Sequence, residues 1–290
     1  MITPDMLPGA DGENINGPSL IRAPAWLKQP LGRYYLYFAH HNGSYIRLAT
    51  ADQLDGPWII RSVLDLSQVP QCHGHLASPD VHVDEETQTI RMYFHGAVVG
   101  QRVQQSYVAL SVDGVNFHTN SEVLGPAYFR VFRNAGFWFA MAKGGRLFRS
   151  SDGLTNFEQG EDTFPLLPKN PRYSRRGSVR HVAVDLMGGA AYVYFSRIGD
   201  RPERIIRARI SLDGPWLKWR AKEFKEIVRP EFAWEGSTLP LRRSRAGRAR
   251  GSVRELRDPC IFGDNGAKYL LYSIAGEQGI AIAEIKSPLC

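Results

Sequence analysis

No stretch of about 18 apolar residues occurs anywhere in the 290 positions, so no helix is expected to span a membrane. The opening residues, Met1-Ile2-Thr3-Pro4-Asp5, have neither the basic nor the apolar segment of a secretory signal, and a cytoplasmic location is expected. Cysteine is scarce. Cys72, Cys260 and Cys290 are odd in number and far apart, which argues against a disulfide framework and a thiolate metal site. Apolar residues seldom recur at three- and four-residue spacing over a dozen positions, so long helices are not expected. Acidic residues are outnumbered, 29 against 36 Lys and Arg, for a net charge of +7. Much of the excess lies in Arg242, Arg243, Arg245, Arg248 and Arg250, with a second cluster at Arg172, Arg175 and Arg176. Both lie between repeated units and read as loops. A solvated basic loop is one reading, and a clamp for an anionic substrate is the other. Nucleic acid is not an expected partner, because no recognition helix or stacking sheet accompanies the charge.

What the chain has in abundance is a repeat. An aromatic, β-rich run returns five times, usually followed by Asp-Gly and another aromatic residue. The five runs are Tyr34-Tyr35-Leu36-Tyr37-Phe38, Met92-Tyr93-Phe94, Phe137-Trp138-Phe139, Tyr192-Val193-Tyr194-Phe195 and Tyr269-Leu270-Leu271-Tyr272. The turns are Asp55-Gly56-Pro57-Trp58, Asp113-Gly114, Asp152-Gly153 and Asp213-Gly214-Pro215-Trp216. A strand-and-turn unit recurring at roughly 40 to 50 residues is a propeller blade. The expectation is an all-β chain forming a single five-bladed β-propeller over 1–290, with an N-terminal arm at 1–14 and a long interblade loop at 229–256. The Asp-Gly turns are read as packing devices.

A propeller alone does not specify a function. The strand openings carry more information, because innermost strands start near one mouth of a central pore. In order they present Asn16, Asp80, Arg130, Arg180 with His181, and Arg257 with Asp258. Carboxylate, guanidinium and imidazole groups converging there suit a polyhydroxylated or anionic ligand. Asp258 is expected to pair with its neighbour Arg257. His73, His75 and His82 flank Asp80; sugar hydroxyls or a structural role fit them better than a metal.

Ser78-Pro79-Asp80-Val81 resembles the Ala-Pro-Asp-Val segment of the five-bladed glycosidases of glycoside hydrolase family 43. Arg257-Asp258-Pro259 is similar to the Arg-Asp-Pro strand of the related families 32 and 130, a group to which family 117 also belongs. Trp234-Glu235-Gly236 resembles their Glu-Gly acid motif, and Asn16-Gly17-Pro18-Ser19 stands where they carry Asn-Asp-Pro or Asp-Pro-Ser. The resemblance implies a glycoside hydrolase cleaving a terminal sugar or small glycan in the pore. Asp80 would orient and tune, Asp258 would act as base or stabiliser, and Glu235 or His181 would donate a proton. Trp234 beside Glu235 would raise its pKa by desolvation. Substrate would be held by Asn16, His75, Arg130, Arg180, Arg257 and Trp234, with Tyr128 and Phe129 as further stacking surfaces. No cofactor or metal is expected, a pore-bound cation being the exception considered. The family places a general-base aspartate at the first opening, where this chain aligns Asn16. That departure leaves room for a phosphorylase using inorganic phosphate or for a non-catalytic carbohydrate-binding propeller.

Overall fold

Strands that must bury both faces read as continuous apolar runs, and Tyr34–Ala39 is buried at every position. The computed structural model describes residues 1–165, 167 and 179–286. Arg172, Arg175, Arg176 and Cys290 lie outside the described residues.

The regular structure is nearly all β, in five blades around a ring. Blade one is β1 (Asn16–Arg22), β2 (Tyr34–Ala39), β3 (Tyr45–Ala51) and β4 (Ile59–Asp65). Blade two is β5 (Cys72–Asp84), β6 (Thr89–Val98), β7 (Gln104–Ser111) and β8 (His118–Thr119), with β9 (Gly125–Pro126) also pairing to β7. Blade three is β10 (Arg130–Asn134), β11 (Phe137–Ala142), β12 (Arg146–Ser150) and β13 (Glu158–Asp162). Blade four is β14 (Val179–Met187), β15 (Ala190–Arg197), β16 (Ile205–Ser211) and β17 (Lys222–Val228). Blade five is β18 (Arg257–Asp264), β19 (Ala267–Ser273) and β20 (Ile280–Glu284). Every strand pairing within the blades is antiparallel, and the first strand of each blade faces the axis: β18 lies beside β1 and β14, β1 beside β5, and β10 beside β14.

The arm closes the ring. Ile2 and Ile280 exchange backbone hydrogen bonds of 3.1 and 3.0 Å, so the N-terminus takes the outer-edge place beside β20. Helices among the described residues are short 3-10 turns, the longest being Gly9–Glu13. The excursion at 229–256 holds one of them, Ala233–Glu235.

The Asp-Gly turns join blade to blade. Asp113 Oδ1 accepts the backbone N–H groups of Val115 and Asn116 at 2.8 Å each, and Asp152 Oδ1 does the same for Leu154 and Thr155 at 2.7 and 2.9 Å. Each turn then offers its glycine carbonyl to a tyrosine of the preceding blade. Tyr37 Oη donates to Gly114 O at 2.8 Å, and Tyr93 Oη to Gly153 O at 2.9 Å. The aromatic residue after the turn is buried against the same neighbour in blades two and four, Phe117 on Tyr37 and Trp216 on Phe139.

Candidate functional site at the pore mouth

All five inner strands enter the pore through the same irregularity. Asn16 pairs with Ala39 and Ser19 with Tyr37, so Gly17 and Pro18 together oppose one residue. The same two-against-one bulge holds Ser78-Pro79, Arg180-His181 and Asp258-Pro259. Blade three repeats it at Tyr128-Phe129, since Lys143 N bonds Ala127 O while Arg130 pairs with Met141. In four of the five blades the first residue of the bulge has the left-handed conformation, and Arg180 in blade four is the exception. Gly17 (φ 62°), Ser78 (52°), Tyr128 (71°) and Asp258 (50°) all adopt it. A left-handed non-glycine residue costs about 1–2 kcal/mol, so Tyr128 and Asp258 are held there by their surroundings.

The bulge sorts the pore wall into tiers. The upper tier is Gly17, Ser78, Tyr128, Arg180 and Asp258. The lower, two residues on, is Ser19, Asp80, Arg130, Val182 and Cys260. The sequence-derived openings therefore do not occupy one equivalent ring. Asn16 stands in register with Arg257, and the counterpart of Asp258 in blade one is Gly17, which has no side chain. The shift arises because the bulge adds a residue that a linear alignment of short motifs does not see.

In the upper tier Asp258 is 1% exposed. Its Oδ1 makes a close contact with His181 Nδ1, and its Oδ2 accepts the Ser273 hydroxyl at 3.1 Å. The expected pairing of Asp258 with Arg257 is not formed, since neighbouring residues of the strand turn their side chains apart. Burial would raise the Asp258 carboxyl, but the His181 contact and the Arg257 and Arg180 charges outweigh it and hold it well below the usual range. Burial lowers His181, and the Arg130 and Arg180 charges add to this against the pull of Asp258. These shifts favour a carboxylate beside a neutral imidazole at neutral pH, with Nδ1 facing Asp258 Oδ1. Nε2 is buried and has no hydrogen-bond partner among the described residues.

Aromatic and cationic groups surround the imidazole. The Tyr128 ring meets His181 edge-on at 4.1 Å and His95 at 4.4 Å. Burial pushes the Tyr128 hydroxyl up to about 12. His95 is buried, and burial with the nearby His75 and His181 drives its pKa well down. Lys143 Nζ lies 5.5 Å from the Tyr128 ring centre, its pKa lowered by burial and by Arg180.

Arg180 and Arg257 are fully engaged. Arg180 forms a fork with Glu203 at 2.7 and 3.0 Å. Arg257 binds Glu277 at 2.8 Å and also Glu255, with Glu203 3.8 Å away. Glu277 further accepts Asn14 at 2.5 Å and lies 3.5 Å from His41 Nδ1. Burial would raise Glu277, but the His41 bond and the Arg257 charge bring it to about 2. Asn16 donates to Asn14 at 2.8 Å and so joins this network.

The lower tier opens into a cavity of about 390 Å³ lined by all five inner strands, Ser19, Asp80, His82, Arg130 and Cys260 among them. Asp80 accepts His82 Nε2 at 2.8 Å and Val131 N–H at 2.7 Å. Burial opposes ionisation of Asp80, but His82, Arg130 and the Val131 N–H outweigh it and lower its pKa. Arg130 Nη1 donates to the carbonyls of Ser78 and Pro79 at 3.0 and 2.9 Å, while Nη2 is buried without a partner among the described residues.

Other predicted residues are placed elsewhere. Glu235 is 1% exposed, not on an open loop. Its oxygens accept Tyr272 Oη at 2.9 Å and the N–H groups of Glu231 and Phe232 at 2.8 and 3.1 Å. Tyr272 and Ser273 are successive residues of β19 and face opposite ways, so Glu235 and Asp258 lie on opposite sides of that sheet. Trp234 is 52% exposed and stacks on Phe232 at 5.4 Å, which places its ring in solvent. Phe129 is core, against Phe148 and Phe157. His75 bonds Gln104 at 3.2 Å and lies 5.9 Å from His95. Among the described residues no group of three or more His, Cys, Asp or Glu side chains is arranged to hold a metal ion. His95, Lys143, Glu203 and Glu277 were not singled out by sequence. His95, Lys143 and Ser273 occupy one repeated position, the residue facing the start of each bulge. Aligning that position across blades would have found the first two.

Comparison with known proteins places this geometry in context. No known family profile matches the chain. An uncharacterized protein of Acanthamoeba polyphaga mimivirus is 37% identical over 302 residues, covering 96% of this chain and 84% of the relative. A family 43 enzyme of Xanthomonas citri, solved with xylose, superposes with a TM-score of 0.67 at 14% identity, over 97% of this chain and 90% of its own. A family 43 β-xylosidase/α-arabinofuranosidase from a compost metagenome, solved with xylotriose, gives 0.65 at 14% identity, with 97% and 93% coverage. An α-L-arabinanase of Cellvibrio cellulosa, solved with arabinohexaose, gives 0.61 at 14%, with 95% and 93% coverage. These likenesses show the fold, a family 43-type five-bladed propeller.

Proposed function

The chain belongs to the family of the uncharacterized mimivirus protein, and we propose that this family member is a glycoside hydrolase acting at the upper tier of its pore. The observation that carries the reading is the buried Asp258–His181 pair, set in a ring of polar residues. It is a carboxylate holding a neutral imidazole in one tautomer, the arrangement that makes histidine a base near neutral pH. Nε2 would take the proton of the attacking water as its oxygen bonds to the anomeric carbon. Tyr128 and Lys143 are the proton-bearing groups beside it for the departing oxygen. Asp80 and Arg130, one tier below, orient sugar hydroxyls. The solved neighbours with xylose, xylotriose and arabinohexaose support a carbohydrate in such a pore.

Use of phosphate is the weaker reading, because Arg180 and Arg257 are already saturated by Glu203, Glu255 and Glu277. A binding-only propeller is favoured by one observation: Gly17 occupies the blade-one counterpart of Asp258, leaving that opening without a carboxylate. Turnover of aryl glycosides and short xylo- and arabino-oligosaccharides, with and without phosphate, separates these readings. Hydrolysis independent of phosphate, and reduced at least about a thousandfold in both His181→Ala and Asp258→Asn, is the expected result. Turnover that requires phosphate, or that survives both substitutions, would remove the assignment. Saturable sugar binding without any turnover would establish the binding-only reading.

A further inference from the structure

The basic segment from Arg242 to Arg250 is fixed across the pore mouth by its backbone. Ser244, fully buried, anchors it to blade four: its N–H donates to Asp200 O at 3.0 Å and its hydroxyl accepts Gly199 N–H at 2.8 Å. The carbonyl of Arg245 accepts Arg180 Nη2 at 2.5 Å. That of Gly247 accepts both Arg180 and Arg257 at 3.2 Å. Ala249 N–H then reaches Glu277 at 3.3 Å. The side chains point the other way. Arg242, Arg243, Arg245, Arg248 and Arg250 are all exposed. Among the described residues none of the five forms an ion pair with a carboxylate, and Arg243 has only the Gly199 carbonyl at 3.3 Å.

Five unneutralised guanidinium groups within nine residues repel one another, and a solvated loop would spread them apart. Here the residues of the pore mouth hold the backbone inward and the charges outward. Guanidinium groups so arranged bind carboxylate and sulfate in a fork. Fixed charges at the mouth of a concave site also concentrate polyanions there. We propose that the Arg242–Arg250 segment is the binding rim for an anionic glycan, carboxylate- or sulfate-bearing, which it guides to the pore. This deepens the hydrolase reading by naming a substrate class, and it is tested by binding, which needs no turnover.

The test is equilibrium binding to polygalacturonate, dextran sulfate, neutral xylan and an RNA oligonucleotide, at about 0.05 and about 0.5 M salt. The proteins are wild type, the Arg242→Gln/Arg245→Gln/Arg248→Gln/Arg250→Gln variant and the matching four-lysine variant, with thermal melting to confirm folding. The expected result is salt-sensitive binding of one or both anionic glycans. The glutamine variant should bind at least about tenfold more weakly and the lysine variant should keep most of the affinity. Response to polygalacturonate or to dextran sulfate alone identifies the anionic group. Equal affinity for neutral xylan, unchanged affinity in a folded glutamine variant, or displacement of the glycan by stoichiometric RNA would overturn the proposal. Loss of hydrolysis in the panel above, with this binding intact, would leave a binding propeller for anionic glycans.

Discussion

The protonation state of one imidazole governs the proposed chemistry. Burial and the Arg130 and Arg180 charges lower the His181 pKa, so its basic form persists below the ordinary histidine value of ~6.5. A base is active when deprotonated, so kcat/KM should be flat at neutral pH and fall with unit slope as pH drops through the His181 pKa. That acid limb should be centred below ~6.5. In Asp258→Asn the stabilising carboxylate is gone, and the limb should move to still lower pH while the plateau collapses. A purely structural Asp258 would lower the plateau through loss of folded protein and leave the limb in place. The pH–rate profile of the two proteins decides. At this scale sequence was a partial guide. Asp80, Asp258 and His181 stand next to prolines or bulge positions and are visible as motifs. Glu203, on an isolated bridge, and Glu277, in a turn, carry no motif, and each meets the arginine of its own blade, Arg180 or Arg257, across 23 or 20 residues of chain. Asn16 reads as the first opening in the linear sequence, whereas the bulge makes Gly17 the blade-one counterpart of Asp258.

Turn chemistry was the most legible part of the fold, because it is local. Asp-Gly requires an acceptor for two N–H groups and a residue tolerant of positive φ, and both needs are written in adjacent letters. What the letters do not give is the partner. The tyrosine that locks each turn is 60 or 77 residues earlier, in the preceding blade. Tyr37 is fully buried, and its hydroxyl donates to the Gly114 carbonyl. Tyr37→Phe keeps the ring and leaves that carbonyl unsatisfied, so stability should fall by about 1–3 kcal/mol. The urea midpoint should drop with an unchanged slope, since no extra surface is exposed. An unchanged midpoint would mean the latch contributes nothing between blades one and two. The excursion at 229–256 illustrates the opposite limit. Its length and charge predicted only a loop. Its placement follows from inward carbonyls that meet Arg180 and Arg257, and no local pattern encodes those contacts.

A propeller is a closed ring, and its weakest place is the seam. Blade five supplies three strands, and the vacant edge of β20 is taken by Ile2 from the opposite end of the chain. Ile2 is fully buried, in one core cluster with Leu20 and Leu36 of blade one and Phe262 and Leu271 of blade five. Losing it removes apolar burial from the joint between first and last blades and bares a strand edge at once. Ile2→Ala should therefore cost about 2–5 kcal/mol, as for a core position that cannot collapse. Deleting residues 1–7 should do more, because the unpaired β20 edge becomes a template for intermolecular pairing. The measurements are urea unfolding for the point variant and light scattering for the truncation, each against wild type. Hydrogen exchange at the Ile280 amide locates the effect. If the seam is the weak point, that amide loses protection before those of β2 or β6. If all lose protection together, the ring unfolds as one unit, and the arm adds stability without setting where opening begins.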